Sequence, residues 1–181
     1  CAKRVPSLDG MRPAAGVQRD EDKNMRKRLI AANRPASPPA PAEWLRLDEV
    51  AEVEISSEDA AYPIEGALVP GHNSGWRAAV PGSQTIWLLF ASPQRVRRIQ
   101  IDFVETSLPR TQEYLLRWSG DGGQSFHEIV RQQWNFSPQG ASTESEDHRV
   151  DLAAVTVLAL IITPDLGHGP AVASMARFRL A

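Results

Sequence analysis

The chain has one cysteine, Cys1, among its 181 residues. No intrachain disulfide and no cysteine-based zinc site can therefore form. Long apolar runs are also missing. The longest, Leu152–Ile162, is interrupted by Thr156 and stops at Thr163-Pro164. It falls short of the about 18 residues that a membrane helix needs and has the length of a buried strand. No membrane span is expected. The net charge is only −2, so the whole chain has no bias toward nucleic acid. Catalytic signatures are absent too: there is no Ser/His/Asp order, no nucleophile elbow and no Gly-rich phosphate loop. His127, His148 and His168 are scattered, whereas a zinc site needs three or four converging ligands. His148, beside Glu144, Glu146 and Asp147, reads as part of a solvated loop. Asp102 reads as solvent-facing, opposite Ile101 and Phe103. These absences point to a protein that is not an enzyme and holds no metal.

The charge that is present is unevenly placed. Residues 1–41 carry nine Lys/Arg and four Asp/Glu, while the remainder is acidic. Residues 1–42 read as a basic, flexible arm, disordered or partly helical. Pro6, Gly10, Pro13 and Gly16 punctuate its start. A short helix from Asp20 to Asn33 would suit the helix dipole, with acids first and Lys27 and Arg28 late. Arg34–Pro41 holds four prolines in eight residues, a stiff extended linker. Cys1 has two readings. It follows a removed initiator Met in a cytoplasmic protein, which the lack of an apolar signal segment favours. Otherwise it is the acylated first residue of an exported, lipid-anchored form.

From residue 43 the pattern is almost all β. Thr111–Trp118 and Phe126–Trp134 flank Ser119-Gly120-Asp121-Gly122-Gly123. Gly reaches positive φ without a Cβ clash, and Asp bonds its own backbone two residues on, so this reads as a hairpin. Val50–Ile55 alternates, as does Val96–Val104 with Ile99, Ile101 and Phe103 on one face. Thr85–Phe90 and Val155–Thr163 are apolar strands. His148–Leu152 is a short one, and Ser174–Leu180 closes the chain. Ser56–Ala61 reads as a turn. About eight regularly spaced strands favour an all-β sandwich or barrel.

Residues 43–181 resemble the discoidin, or coagulation factor 5/8 type C, domain. That domain lies in the galactose-binding-like superfamily, beside the family 32 carbohydrate-binding modules. Val53–Ser57 looks like its opening strand and Ser-Ser turn. Ala67-Leu68 followed by Trp76 looks like its Trp-ending loop. Val96–Ile101 looks like the strand after the apolar segment Ile86–Phe90. Glu113-Tyr114 through Ser119-x-Asp121-Gly122, with Phe126-x-Glu128-Ile129, looks like its tyrosine strand and turn. The resemblance implies a jelly-roll sandwich of about eight antiparallel strands. It implies glycan binding through loops at one end, without catalysis. The alternative is a protein–protein interaction module of the same fold, which should show a long apolar patch on a sheet face. Where many members carry Asp-Gly in a calcium loop, Val69-Pro70-Gly71 stands here, so no cofactor is expected. The cysteine clasp of secreted members is missing as well, and the chain looks intracellular or bacterial. Ser119-x-Asp121-x-Gly123-x-x-Phe126 also fits the Asp-box turn of sialidase-type propellers. One copy cannot build a propeller, so it is read as turn chemistry.

Six residues are candidates for ligand contact. Trp134 and Phe136 could stack on a sugar's C–H faces while Asn135 reads its hydroxyls; otherwise the rings plug the end of the sandwich. His72 and Asn73 could donate to and accept from hydroxyls, or simply form a polar turn. Arg110 is a planar five-donor fork suited to vicinal hydroxyls or a carboxylate, or to an ion pair with Glu105 or Glu113.

Overall fold

Alternation along the hairpin is as clear in space as in sequence. In a computed structural model, which describes residues 43–181, β4 (Arg110–Ser119) pairs antiparallel with β5 (His127–Phe136). Tyr114 and Leu116 point inward and are fully buried. The turn is held by Asp121. Its carboxylate accepts from Ser119 Oγ (2.6 Å), Ser125 N (2.9 Å) and Ser125 Oγ (2.6 Å). These hydrogen bonds keep the carboxyl well below its ordinary value. Gly122 and Gly123 take φ of 74° and 88°, which only glycine reaches without strain.

The remaining elements are α1 (Leu47–Val50), β1 (Ala51–Ile55), α2 (Glu65–Leu68), β2 (Trp76–Pro81), β3 (Gln84–Val104), β6 (Thr143–Thr163), β7 (Val172–Met175) and β8 (Arg177–Leu180). The main sheet runs β1-β3-β6-β4-β5, with β8 beside β3, and β2 pairs with β7. All pairings are antiparallel. The architecture is the expected all-β sandwich.

Four expectations change in detail. The strands expected at 85–90 and 96–104 are one strand, β3, and those at 148–152 and 155–163 are one strand, β6. His148 therefore lies on a strand and not in a solvated loop. Residues 76–81 form a strand that their Ala and Pro content does not announce. The closing segment splits at Ala176 into β7 and β8.

A straight 21-residue strand would run roughly 70 Å. Instead the β3–β6 ribbon folds over on itself. Its register slips between Leu89 and Arg98, where Ser92-Pro93 sits. Such bulges bend a ribbon and accommodate proline. The two halves then face each other across the core. Phe103, at one end of the ribbon, lies 5.4 Å from the ring of Tyr114, whose β-partner Ile162 is at the other end. Gly122 N donates to Thr156 Oγ1 (2.9 Å), which places the hairpin turn at the folded corner. The loops 105–109, 137–142 and 164–171 lie at the opposite end, hereafter the rim. Glu105 N donates to Ser142 O (2.7 Å) and Leu166 N to Thr111 O (2.8 Å).

A polar cluster closes one side of the core. Tyr114 Oη lies 2.8 Å from His148 Nε2. Gln132, with its carboxamide turned to satisfy both neighbours, donates to Tyr114 Oη (3.2 Å) and Glu146 Oε1 (3.1 Å). Burial holds His148 below its ordinary 6.5, with Asp147 opposing. Burial and then Glu144 hold the Glu146 carboxyl above its usual range. The unfolded chain therefore protonates His148 at a higher pH than the fold does. This residue's contribution is complete above pH 6.5 and is lost as pH falls below it. Glu146 acts in the opposite sense, its contribution being lost as pH rises. Lowering the pH from about 7.5 to 5.5 should reduce the urea midpoint of the native protein more than that of His148→Gln. Equal shifts would show that His148 titrates as it does in water.

The arm 1–42, with its expected helix, Pro-rich linker and Cys1, lies outside the described residues. Among those described, no helix is long and apolar enough to cross a membrane. No three His, Cys, Asp or Glu side chains among them come together as a metal site would require.

Candidate functional site

The rim is built around a buried ion pair. Arg110 opens β4, and its Nη1 lies 2.8 Å from Glu105 Oε2, with both side chains almost wholly out of solvent. Nη1 also donates to Val172 O (3.0 Å) and Nη2 to Gln112 Oε1 (3.0 Å). Glu105 Oε1 accepts from Ser107 N (2.6 Å) and Leu108 N (3.2 Å). Burial pushes the Arg110 guanidinium below its ordinary value, opposed by Glu105 and Asp165. The pair thus pins the 105–109 loop to β4 and β7; both Glu105 oxygens and both terminal Arg110 nitrogens are engaged, while Arg110 Nε is buried without a partner.

Two small cavities lie against this pair. One, about 160 Å³, is lined among others by Tyr62, Trp76, Arg77, Val104, Glu105 and Ser174. The other, about 130 Å³, is lined among others by Arg77, Glu105, Leu108, Arg110, Val172 and Ser174. Arg77, Glu105, Ser107 and Ser174 border both, so the two form adjoining lobes of one cleft. Among the described residues five large hydrophobic side chains are exposed. Tyr62, Val104 and Leu108 line this cleft, and Leu166 is tied to the neighbouring Thr111.

Tyr62 and Arg77 are held together by the backbone. Arg77 N donates to Tyr62 O (3.1 Å), and Asp59 N to Arg77 O (2.9 Å). The Arg77 guanidinium sits over the Tyr62 ring at 4.8 Å, within the about 6 Å of a cation–π contact. Arg77 faces Ser174 across the β2–β7 pair. The loop before β2 is packed tightly. A Cβ on Gly66 would run into Gly75 O, and Gly75 itself has φ 69°.

Of the six expected contact residues, the hairpin register sets Arg110 opposite Phe136, Thr111 opposite Asn135 and Gln112 opposite Trp134. Four of the six thus share one rim. Two of these cannot meet a ligand through an exposed side chain. Arg110 is consumed by Glu105, and Phe136 is buried beside the Arg110 guanidinium, 5.9 Å from its ring centre. Period-2 alternation turns Trp134 the same way. It is half-buried against the core, and its Nε1 is buried without a partner. Asn135 faces outward and accepts from Thr111 Oγ1 (2.7 Å). His72 and Asn73 are exposed in the loop whose Ser74 and Gly75 border the larger lobe, but they do not line it. Tyr62 and Arg77 were missed. The only sequence signal for them is an aromatic in a turn and a cation directly after the loop-ending Trp76.

The bent ribbon and the antiparallel topology define a fold class, the discoidin-like β-sandwich. Solved structures of similar fold include family 32 carbohydrate-binding modules. One, from the NanJ protein of C. perfringens and in complex with galactose, has a TM-score of 0.56 and 14% identity, over 76% of this chain and 96% of that one. Another, from Clostridium perfringens and in complex with GalNAc-β-1,3-galactose, has a TM-score of 0.55 and 18% identity, over 76% and 99%. A third, from AlyQ with 4,5-unsaturated mannuronic acid, has a TM-score of 0.53 and 16% identity, over 73% and 95%. No family model and no curated protein matches the sequence.

Proposed function

We propose that the chain is a non-catalytic carbohydrate-binding module whose ligand sits in the rim cleft. The observation that carries this reading is an exposed aromatic ring at the larger lobe, beside a guanidinium that borders both lobes and has no acidic partner among the described residues. Tyr62 offers a face for pyranose C–H groups. Arg77, Ser107 and Ser174 offer donors and acceptors for hydroxyls. The lobes are smaller than the roughly 300–1,000 Å³ of sites for drug-sized ligands, so each suits a single sugar-sized group. The similar fold of modules solved with galactose and with GalNAc-β-1,3-galactose supports the same reading. His72, Asn73 and Asn135 remain proposed as rim residues that a longer glycan would reach. Arg110 and Phe136 become supports beneath the site, and Trp134 packs beside them.

Binding without turnover fits the state of the cleft carboxylate. Glu105 has both oxygens engaged, leaving no free acid or base there. The rival protein-binding module calls for an apolar sheet face. Leu115, Val157 and Ala159 do point outward from the main sheet, but all three are buried. Phe126 packs edge-on to Trp87 above that face, with centroids 5.6 Å apart.

A glycan array probed with the full chain should show selective binding. Tyr62→Ala should weaken the best ligand by about tenfold or more, as truncating a central aromatic does. Unchanged affinity in Tyr62→Ala would move the site elsewhere. No glycan binding at millimolar concentration would overturn the reading.

A further inference from the structure

We infer that the group recognised at Arg77 is a carboxylate, so that the ligand is an acidic sugar: a uronate or a sialate. This rests on the reading of the cleft as the glycan site and adds the ligand's charge. The charge balance of the cleft carries it. Glu105 is neutralised by Arg110 at 2.8 Å. Asp165, near Arg110, keeps its charge but lines neither lobe. Arg77 borders both lobes and, among the described residues, has no acidic partner and no side-chain hydrogen bond. Of the residues lining the two lobes only Arg77, Glu105 and Arg110 are charged, so the lining carries one positive charge beyond the Glu105–Arg110 pair. The Arg77 guanidinium carbon lies 4.8 Å from the centre of the Tyr62 ring, and no side-chain hydrogen bond among the described residues uses its N–H groups. The N–H edge is what a carboxylate engages, through two parallel bonds. Arg77 is solvent-exposed, so its guanidinium is open to an incoming anion. Ser174, opposite Arg77 in register, and Ser107 supply hydroxyls for the remaining polar groups of the ring.

The test uses the full chain and four probes in calorimetry at low salt: galacturonate oligomers, sialyllactose, and the methyl ester of each. The ester keeps the shape of the acid and removes only its charge. At least one acid should bind about tenfold or more tighter than its own ester. The difference should shrink as salt rises. Arg77→Gln should bring acid and ester to nearly equal affinity, and Arg77→Lys should recover only part of the gap, since an ammonium cannot form the fork. Tyr62→Ala should weaken acid and ester together. Equal binding of acid and ester by the native chain would overturn the carboxylate assignment and leave the glycan reading standing. Binding of none of the four probes, with neutral glycans bound on the array, would also overturn it. Binding of no glycan at all would remove both.

Discussion

Arg110→Ala should cost about 3–5 kcal/mol of folding stability, because it strands a buried carboxylate. Glu105 would keep the N–H donors of Ser107 and Leu108 but lose its cation in an almost dry site. Val172 O and Gln112 Oε1 would lose their donors as well. Gln112 is fully buried and its Nε2 already lacks a partner, so the site has no slack. For a domain of this size the loss corresponds to roughly 10 °C or more in Tm. The informative control is the double variant Glu105→Gln with Arg110→Met. Removing both charges avoids the stranded ion and should recover a good part of the loss, since a neutral replacement for a buried pair is often tolerated. Urea titrations of Glu105→Gln, Arg110→Met and the double variant give the coupling directly. A loss below about 1 kcal/mol in Arg110→Ala would mean that water reaches the pair.

Trp76→Ala should be comparably severe, about 3–5 kcal/mol, the range for deleting a buried Trp. Trp76 is 1% exposed and starts β2, where it faces Met175 of β7. Its neighbour Gly75 is pressed against Met175 O, and a Cβ there would approach to 2.9 Å. A cavity under this point should therefore loosen Arg77 and Tyr62 together. Trp76→Phe should be much milder. It keeps a ring in the site and removes an indole N–H that is buried without an acceptor. Thermal melts of the two variants separate the explanations. If Trp76→Phe costs as much as Trp76→Ala, the indole's size and not the presence of a ring holds the loop.

The hairpin was legible because everything it needs is local. Asp121 bonds within four residues, Gly122 and Gly123 supply positive φ, and the flanking strands alternate. Alternation could also have settled Phe136. It shares a face with Val130, Gln132 and Trp134, and that face turns inward. The fold of the β3–β6 ribbon was not legible. Each half reads as a good strand, and only the slipped register near Ser92-Pro93 joins and bends them. Residues 76–81 escaped for a different reason. Two alanines and a proline carry little β-propensity, and that strand exists because β7 is there to pair with it.

The candidate site divides along the same line. Residue chemistry alone nominated Arg110 as a fork for a ligand or for Glu105, and could not choose between them. That choice depends on whether Glu105, five residues earlier, is folded back and sealed from water, which is a property of the packed rim. Tyr62 and Arg77 lie fifteen positions apart, and neither is remarkable within its own segment. By itself the sequence determined the strands that alternate, the turn chemistry and the all-β class, since these follow from backbone sterics and neighbouring side chains. Only the tertiary structure decided which arginine is buried as a strut and which is left facing the cleft, because solvent exposure and ion pairing are set by strands far apart in the chain.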